Sequence, residues 1–334
     1  MTDNLSWDIY PLPDDLPAPV IPDPSLPLVS IVTPSYYQGR FIRATIDSVL
    51  SQDYPNLEYW VIDGGSTDGT SGILREYERD PRFHWIGEPD RGQSDAINKG
   101  WRRCRGDVLA WLCSDDVYTP GAIRAQVAYL RANPDVEAVY SDAIVIDADG
   151  QPLRKDWARR FSLSDLLHLD FIPQSTVFLR RSLVEQTGPL DITLHYSMDY
   201  DYWLRASLRH TFAYAPAEIA RYRLHPDSKS VSHINGFNGE MVRVIDRFFA
   251  QPDVPPALRR QRRAVDADLR LLIGINFART NQVRQAVVSL GQALRRHPAR
   301  PRTFWLLLRI LEATGHFSVS DRLIERWHRF RSRV

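Results

Sequence analysis

Cysteine is scarce in this chain. Only Cys104 and Cys113 occur in 334 residues. Two thiols cannot build a disulfide framework, and their spacing is not that of a zinc ribbon, so a reducing compartment is expected. Long apolar runs are also lacking. No stretch approaches the roughly 20 residues that span a bilayer, and the longest near the C-terminus are broken by Arg270, Arg279 and Arg309. The opening residues, MTDNLSWDIYPLPDDLP, have no basic segment followed by an apolar one. That argues against a secretory signal and for a cytoplasmic protein. Lysine is missing from the last 84 positions: from Gln251 to Val334 there are 17 Arg and six Asp or Glu, a local charge of +11. The chain as a whole carries only +1, so its first 250 residues carry −10. An acidic front half argues against nucleic acid as a partner. A basic tail suits anionic lipid head groups or a phosphate-bearing acceptor, although a solvated helical surface has the same composition. With 43% hydrophobic and 25% charged residues, the chain has the make-up of a globular protein. Its length fits one large domain with an appendage, or two domains.

Residues 1–27 are Pro-rich and read as an extended leader, laid on the surface or left loose. From Leu28 short apolar runs alternate with helical patterns: LVSIVTPS before RFIRATIDSVLSQ, LEYWVIDGG before TSGILREYER, FHWIGE before SDAINKGWRRC, DVLAWLCS before PGAIRAQVAYLRA. Such alternation predicts an α/β fold, a mostly parallel sheet covered by helices on both faces. Further on, FSLSDLLHL reads as a helix, STVFLR as a strand and MDYDYWLRASLRH as a helix, followed by a coil with Arg221, Arg223 and His225. The pattern places the first domain at 28–238 and a small all-α extension at 239–334. Within the extension, about 266–299 resembles one tetratricopeptide hairpin: Ile273, Gly274, Phe277, Ala286, Leu290, Ala293 and Pro298 match its packing positions, and Arg270 stands where Trp is usual. A degenerate second copy follows Pro301. One repeat is too few for a free-standing solenoid, so a docked hairpin is expected, with partner binding as an alternative role.

Ligands of such sheets sit beyond the C-terminal strand ends. Those ends carry Thr33-Pro34-Ser35-Tyr36, Asp63-Gly64-Gly65-Ser66, Glu88-Pro89-Asp90-Arg91-Gly92 and Ser114-Asp115-Asp116. Adjacent carboxylates at a strand end repel unless a cation or donors compensate, and hard divalent ions take such ligands. The same residues also make a turn with an Asp helix cap. Asp63 can accept from a base N–H or a ribose hydroxyl, and Gly-Ser-Thr-Asp-Gly-Thr after it is equally a good turn. Asp199 would open a helix whose dipole favours an anion, where a carboxylate can act as a general base. The plain alternative is a cap with core aromatics around it. His225 beside two arginines gains weight as a ligand only when taken with the other signals.

Five segments, in order, carry a family resemblance: VSIVTPSYYQGRFIRATIDSVLSQDYPNLEYWVIDGGSTDGT, EPDRGQSDAINKGW, LCSDDVYTPGAI, SMDYDYWLR and RLHPDSKS. Together they resemble the inverting family 2 glycosyltransferases of the GT-A fold, over about two-thirds of the chain. The resemblance implies that Pro34, Ser35 and Tyr36 line the base pocket and that Asp63 pairs with the base, uracil by expectation. Arg91, Asp95 and Lys99 would lie near the ribose or donor sugar. Ser114 and Asp115 would hold the donor, with Asp115 also near the metal. Asp116 would be the main protein ligand of Mg²⁺ or Mn²⁺, joined by His225. Asp199 would deprotonate the acceptor hydroxyl, and Gln174 and Trp203 would flank the sugars. Three positions depart from the family pattern. Cys113 replaces the first Asp of D-x-D, Met198 replaces the common Glu before Asp199, and Gly64 replaces a frequent second Asp.

The implied reaction moves a sugar from a nucleotide-diphosphate donor to a hydroxyl of a glycan or lipid-linked acceptor, in one inverting displacement. A role in surface polysaccharide synthesis and peripheral contact with an anionic inner membrane face through the Arg-rich segment belong to the same expectation. Two alternatives remain at this point: a nucleotidyltransferase that makes sugar nucleotides, and a weakened transferase serving as a scaffold.

Overall fold

Strands β1 (Val29–Ser35), β2 (Leu57–Asp63) and β4 (Val108–Trp111) bury every residue. Their near-continuous apolar sequence is what a sheet covered on both faces requires. The computed structural model describes residues 5–11, 13, 16–156, 158–169 and 172–297. Its other strands are β3 (Phe83–Gly87), β5 (Val117–Tyr118), β6 (Ala138–Ile146), β7 (Pro152–Asp156), β8 (Phe178–Arg180) and β9 (Phe212–Arg223). Spatial order in the sheet is β3-β2-β1-β4-β8-β6-β9-β5, with β7 on β6. The first four strands pair in parallel, as does β6 with β9, while β8 runs antiparallel to both of its neighbours. This is the α/β architecture expected from the alternation.

Helices α1 (Ile42–Leu50), α2 (Thr70–Arg75), α3 (Gln93–Arg103), α4 (Ala122–Ala132), α5 (Leu163–Leu167), α6 (Arg181–Thr187) and α7 (Met198–Ser207) connect these strands, and α8 (Lys229–Ser232) follows β9. Helix α1 shows why it docks: Ile42, Thr45, Ile46 and Val49 recur at helical spacing and are all buried. Helix α3 lies so close to β1 that a Cβ on Gly100 would come within 2.4 Å of Val32 Cγ1. Beneath the strand ends, Trp101, Trp111 and Trp203 form an aromatic stack: Trp101 meets Trp111 edge-on at 5.3 Å and Trp111 lies flat on Trp203 at 5.2 Å.

Two expectations change. The stretch read as coil after α7 is the end of a long strand, because β9 runs through Arg221 to Arg223 and pairs with both β6 and β5. The leader is not simply laid on the surface. Trp7–Ile9 make one 3-10 turn, and Tyr10 is buried with its hydroxyl donating to Asp95 at 2.7 Å.

The chain divides into two compact units, one of residues 1–166 with 170–232, the other of 167–169 with 233–334. In the second, α9 (Gly236–Ala250), α10 (Pro256–Arg259), α11 (Arg262–Arg279) and α12 (Val283–Arg296) are described. Leu271, Ala286, Leu290 and Ala293 form the core of the α11–α12 hairpin. Gly274 admits Leu290, whose Cγ would sit 2.9 Å from a Cβ there. Pro298, the degenerate copy after Pro301 and the part of the Arg-rich tail beyond residue 297 lie outside the described residues. Among the described residues no helix is long and apolar enough to cross a membrane.

Candidate active site

Register alone brings the first site residues together. Pairing of β1 with β2 puts Ser35 beside Asp63, and β2 with β3 puts Asp63 beside Gly87. Asp63 is buried, and its carboxylate is surrounded by donors. Ser35 Oγ and Ser66 Oγ donate to Oδ1 at 3.1 and 2.7 Å, and the Gly65 and Ser66 N–H groups donate to Oδ2 at 3.2 and 2.8 Å. The carboxylate thus shapes the loop after β2. Pro34 and Ser35 are buried in the strand, and Tyr36 breaks out of it with 59% of its surface exposed. A Cβ on Gly64 would lie 2.8 Å from Asp90 Oδ2 and 3.1 Å from the Tyr36 ring. Asp90 therefore supplies a carboxylate where the family pattern has a second Asp at 64. Burial raises the Asp90 pKa above its ordinary value.

Asp95 in the first turn of α3 organises the next loop. It accepts from the Arg91 N–H at 3.0 Å, the Arg91 guanidinium at 2.8 Å and the Tyr10 hydroxyl at 2.7 Å. Burial pushes its pKa up, but Arg91 and Tyr10 outweigh that and hold it below the usual carboxylate value. Lys99 Nζ reaches Glu88 at 2.9 Å and donates to the Pro89 carbonyl at 3.0 Å. Asp95 and Lys99 thus brace the 88–92 loop from within, and Arg91, with a side chain 58% exposed, is the member turned to solvent.

The acidic segment after β4 is fastened to α1, where Thr45 Oγ1 donates to the carbonyls of Ser114 and Asp116 at 2.9 and 2.8 Å. Cys113 Sγ and carboxylate oxygens of Asp115 and Asp116 lie within 4.8 Å of one another. Pairing of Val117 with Arg221 brings in the end of β9. The Arg223 N–H then donates to Asp116 Oδ1 at 2.8 Å, and His225 Nε2 lies 3.1 Å from Asp115 Oδ2. Asp116 is only 1% exposed. Burial, then the neighbouring Asp115, push its pKa well above the ordinary value. His225 is buried too, packed on Phe41 at 4.7 Å, and Arg223 stacks over the same ring. A thiol, two carboxylates and an imidazole are a donor set that fits a divalent cation. Of the two carboxylates, Asp115 is the one facing His225, and Asp116 is the one held by the Arg223 N–H.

Asp199 sits in the first turn of α7, half-buried, with the Tyr200 N–H 2.8 Å from Oδ1. Burial raises its pKa despite the opposing pull of Lys229. A chain of hydrogen bonds runs beside it. Lys229 Nζ donates to Gln93 Oε1 at 2.8 Å and to the His195 carbonyl at 3.1 Å. Gln93 Nε2 donates to Cys113 Sγ at 3.2 Å, which donates in turn to Gln174 Oε1 at 3.4 Å. Gln174 is anchored on the Trp111 carbonyl at 2.8 Å. Gln93 and Lys229 received no role from the sequence, although both lie inside the motif segments; only folding reveals that residues 136 positions apart meet. Tyr10 was missed because nothing in a Pro-rich leader marks an anchor.

One expected role does not survive. Trp203 is 1% exposed and stacked on Trp111, a core position under the strand ends and not the flank of a sugar. It follows Asp199 by one helical turn, but its ring packs on Trp111 and Phe212 and fills the aromatic core.

Residues 30–188 match the model of the family described as glycosyl transferase family 2. A putative teichuronic acid biosynthesis glycosyltransferase, TuaG of Bacillus subtilis, is 34% identical over 210 residues, 61% of this chain and 82% of the relative. Among solved structures, the mannosyltransferase PcManGT from Pyrobaculum calidifontis, in complex with GDP-Man and Mn²⁺, superposes with a TM-score of 0.59 at 20% identity, covering 92% of this chain and 84% of that one. S. aureus TarS 1–349 in complex with UDP-GlcNAc gives 0.58 at 16% identity, covering 85% of each chain.

Proposed function

This chain belongs to glycosyl transferase family 2, and from that premise we propose that it is a metal-dependent, inverting transferase that takes a sugar from a UDP-sugar to a hydroxyl of a glycan or lipid-linked acceptor. One observation carries the reading: Asp115, Asp116 and His225, from distant segments, meet beyond the strand ends, and Asp116 and the Asp199 carboxyl at the start of α7 are both burdened by burial. TarS binds UDP-GlcNAc and PcManGT binds GDP-Man with Mn²⁺, as their structures are described, which supports a nucleotide-sugar donor and a divalent ion here.

In this reading Pro34, Ser35 and Tyr36 form the base pocket. Asp63 holds the loop that closes it, while Asp63 and Asp90 offer the carboxylates for base or ribose. Asp95 and Lys99 fix the 88–92 loop so that Arg91 faces the donor sugar or ribose. Asp115, Asp116 and His225 hold Mg²⁺ or Mn²⁺, with the Ser114 backbone fastened by Thr45. When bound, the ion neutralises the diphosphate and makes it a better leaving group. Asp199 orients the acceptor hydroxyl and takes its proton as the acceptor oxygen bonds to C1 and the C1–diphosphate bond breaks. The raised pKa of Asp199 makes it a stronger base than an exposed carboxylate. A single displacement inverts the anomeric centre and needs no second carboxylate nucleophile. Gln174, tied to Cys113 and the Trp111 carbonyl, lies beside this centre at the sugar end.

TuaG is named for teichuronic acid biosynthesis, which supports polymer synthesis as the setting. A cytoplasmic location with peripheral contact to an anionic membrane through the Arg-rich C-terminal residues completes the proposal. Transfer from UDP-sugars to glycan acceptors, with the anomer of the product read by NMR, tests the reaction; a retained anomeric configuration would defeat it. Liposome co-sedimentation of full-length and shortened chains tests the membrane contact, and equal binding would defeat that part.

A further inference from the structure

We propose that Cys113 makes the cation site of this chain thiophilic, so that it holds Co²⁺ or Zn²⁺ in preference to Mg²⁺. The inference rests on the cation reading above and deepens it. Sulfur here stands among oxygens and an imidazole: Cys113 Sγ, Asp115 and Asp116 lie within 4.8 Å of one another, and His225 Nε2 is 3.1 Å from Asp115. Ligands that share one ion at about 2.0–2.3 Å stand no more than about 4.5 Å apart. Small side-chain rotations would therefore place Cys113 Sγ, Asp115 and Asp116 on one centre, with the His225 imidazole next to Asp115.

The sulfur is also held in place from two sides. Gln93 Nε2 donates to it at 3.2 Å and Gln174 Oε1 accepts from it at 3.4 Å. Each of these amides has its orientation fixed in turn: Lys229 donates to Gln93 Oε1 at 2.8 Å, and Gln174 Nε2 donates to the Trp111 carbonyl at 2.8 Å. The Gln93 N–H, pinned in turn by Lys229, is the donor that a metal-bound thiolate keeps in its outer shell, while the Gln174 contact is given up with the thiol proton. A half-buried thiol that served only as packing would not require two oriented amides and an ammonium around it.

Chemistry then decides which ion gains. Mg²⁺ demands oxygen ligands and gives up water reluctantly. Thiolate and imidazole favour the later first-row ions. Coordination sends the thiol proton to solvent, after which the site has the same formal charge as one with Asp at 113. The Cys therefore changes the softness of the site without changing its loaded charge.

The experiment is titration of the full-length protein with CoCl₂, ZnCl₂ and MgCl₂, each alone and with UDP, by absorbance and calorimetry. Wild type should show a sulfur-to-cobalt charge-transfer band, absent in Cys113→Ser and retained in Cys104→Ser. In Cys113→Asp the Co²⁺-over-Mg²⁺ affinity ratio should fall by about tenfold. Melting curves confirm that each variant is folded. Bound cobalt without that band, or an unchanged ratio in Cys113→Asp, overturns the proposal and leaves the cation reading standing. No binding of any ion, in wild type and Cys113→Asp alike, removes the cation reading and this proposal with it.

Discussion

Two groups of acids at the same strand ends are treated in opposite ways. Asp63 and Asp95, on the side of β1–β3, are surrounded by donors from the following or preceding loop, from the end of β1 and from the leader: four hydrogen bonds for the first and three for the second. Asp116 and Asp199, on the side of β4, β9 and α7, each receive a backbone N–H and remain burdened by burial, which raises both pKa values. A satisfied carboxylate stabilises the fold and shapes a pocket. An unrelieved one costs stability and is kept where a cation or a proton arrives during function. The contrast separates the acids that build the donor pocket from those that do chemistry in it.

The largest effect expected from that contrast is at Asp199. Asp199→Asn removes the base and leaves the nucleotide site whole, so transfer should fall by roughly 100- to 10,000-fold while UDP affinity with Mn²⁺ stays within error. Steady-state rates beside isothermal titration check this; a fully active variant breaks the assignment. Next comes the metal side. Asp116→Asn should weaken metal-dependent UDP binding and yet raise the melting temperature of the metal-free protein by a few degrees, ~1 kcal/mol, because it relieves a buried like-charge pair. A lower melting temperature would place Asp116 with the satisfied acids.

The same contrast has a pH signature. A carboxyl whose folded pKa is raised binds its proton more tightly in the native state. Its stabilising contribution is complete below the unfolded value of 3.8 and is lost as pH rises through the folded value. Metal-free protein should lose stability over that rise, and a divalent cation should flatten the slope. Asp95 behaves in the opposite sense: its contribution is present above 3.8 and is lost as pH falls through its lowered value. Melting temperature against pH, with and without MnCl₂, separates the two behaviours. The smallest effect is at the leader anchor. Tyr10→Phe deletes two buried hydrogen bonds, the one given to Asp95 and the one accepted from Asn98, and should cost about 1–2 kcal/mol, read as faster proteolysis of the leader with the metal site unaffected.

These distinctions mark the limit of what was legible in the sequence. Strands, helices and their order followed from apolar runs and helical spacing, since each is a local pattern. The acids themselves were recognisable as types at strand ends. Their partners were not, because pairing of Val117 with Arg221 decides that Asp115 faces His225. Trp203 was misplaced for a related reason: an aromatic one turn from Asp199 looks like a sugar platform until its neighbours Trp111 and Tyr202 are known. Lys229 and Gln93 escaped notice because each is ordinary by itself and informative only as a pair. β9 was hidden by its arginines, which read as loop residues until the strand's two pairing partners are in place.

The central claim is that the acidic cluster beside His225, Asp115 with Asp116, awaits a cation brought together with the nucleotide. Isothermal titration of UDP into wild type, Asp115→Ala and His225→Ala, each with MnCl₂ and with chelator, tests it most directly. The account expects Mn²⁺ to tighten UDP binding by about tenfold or more in wild type and to do little in either variant. UDP binding of equal strength with and without the ion in wild type would contradict it.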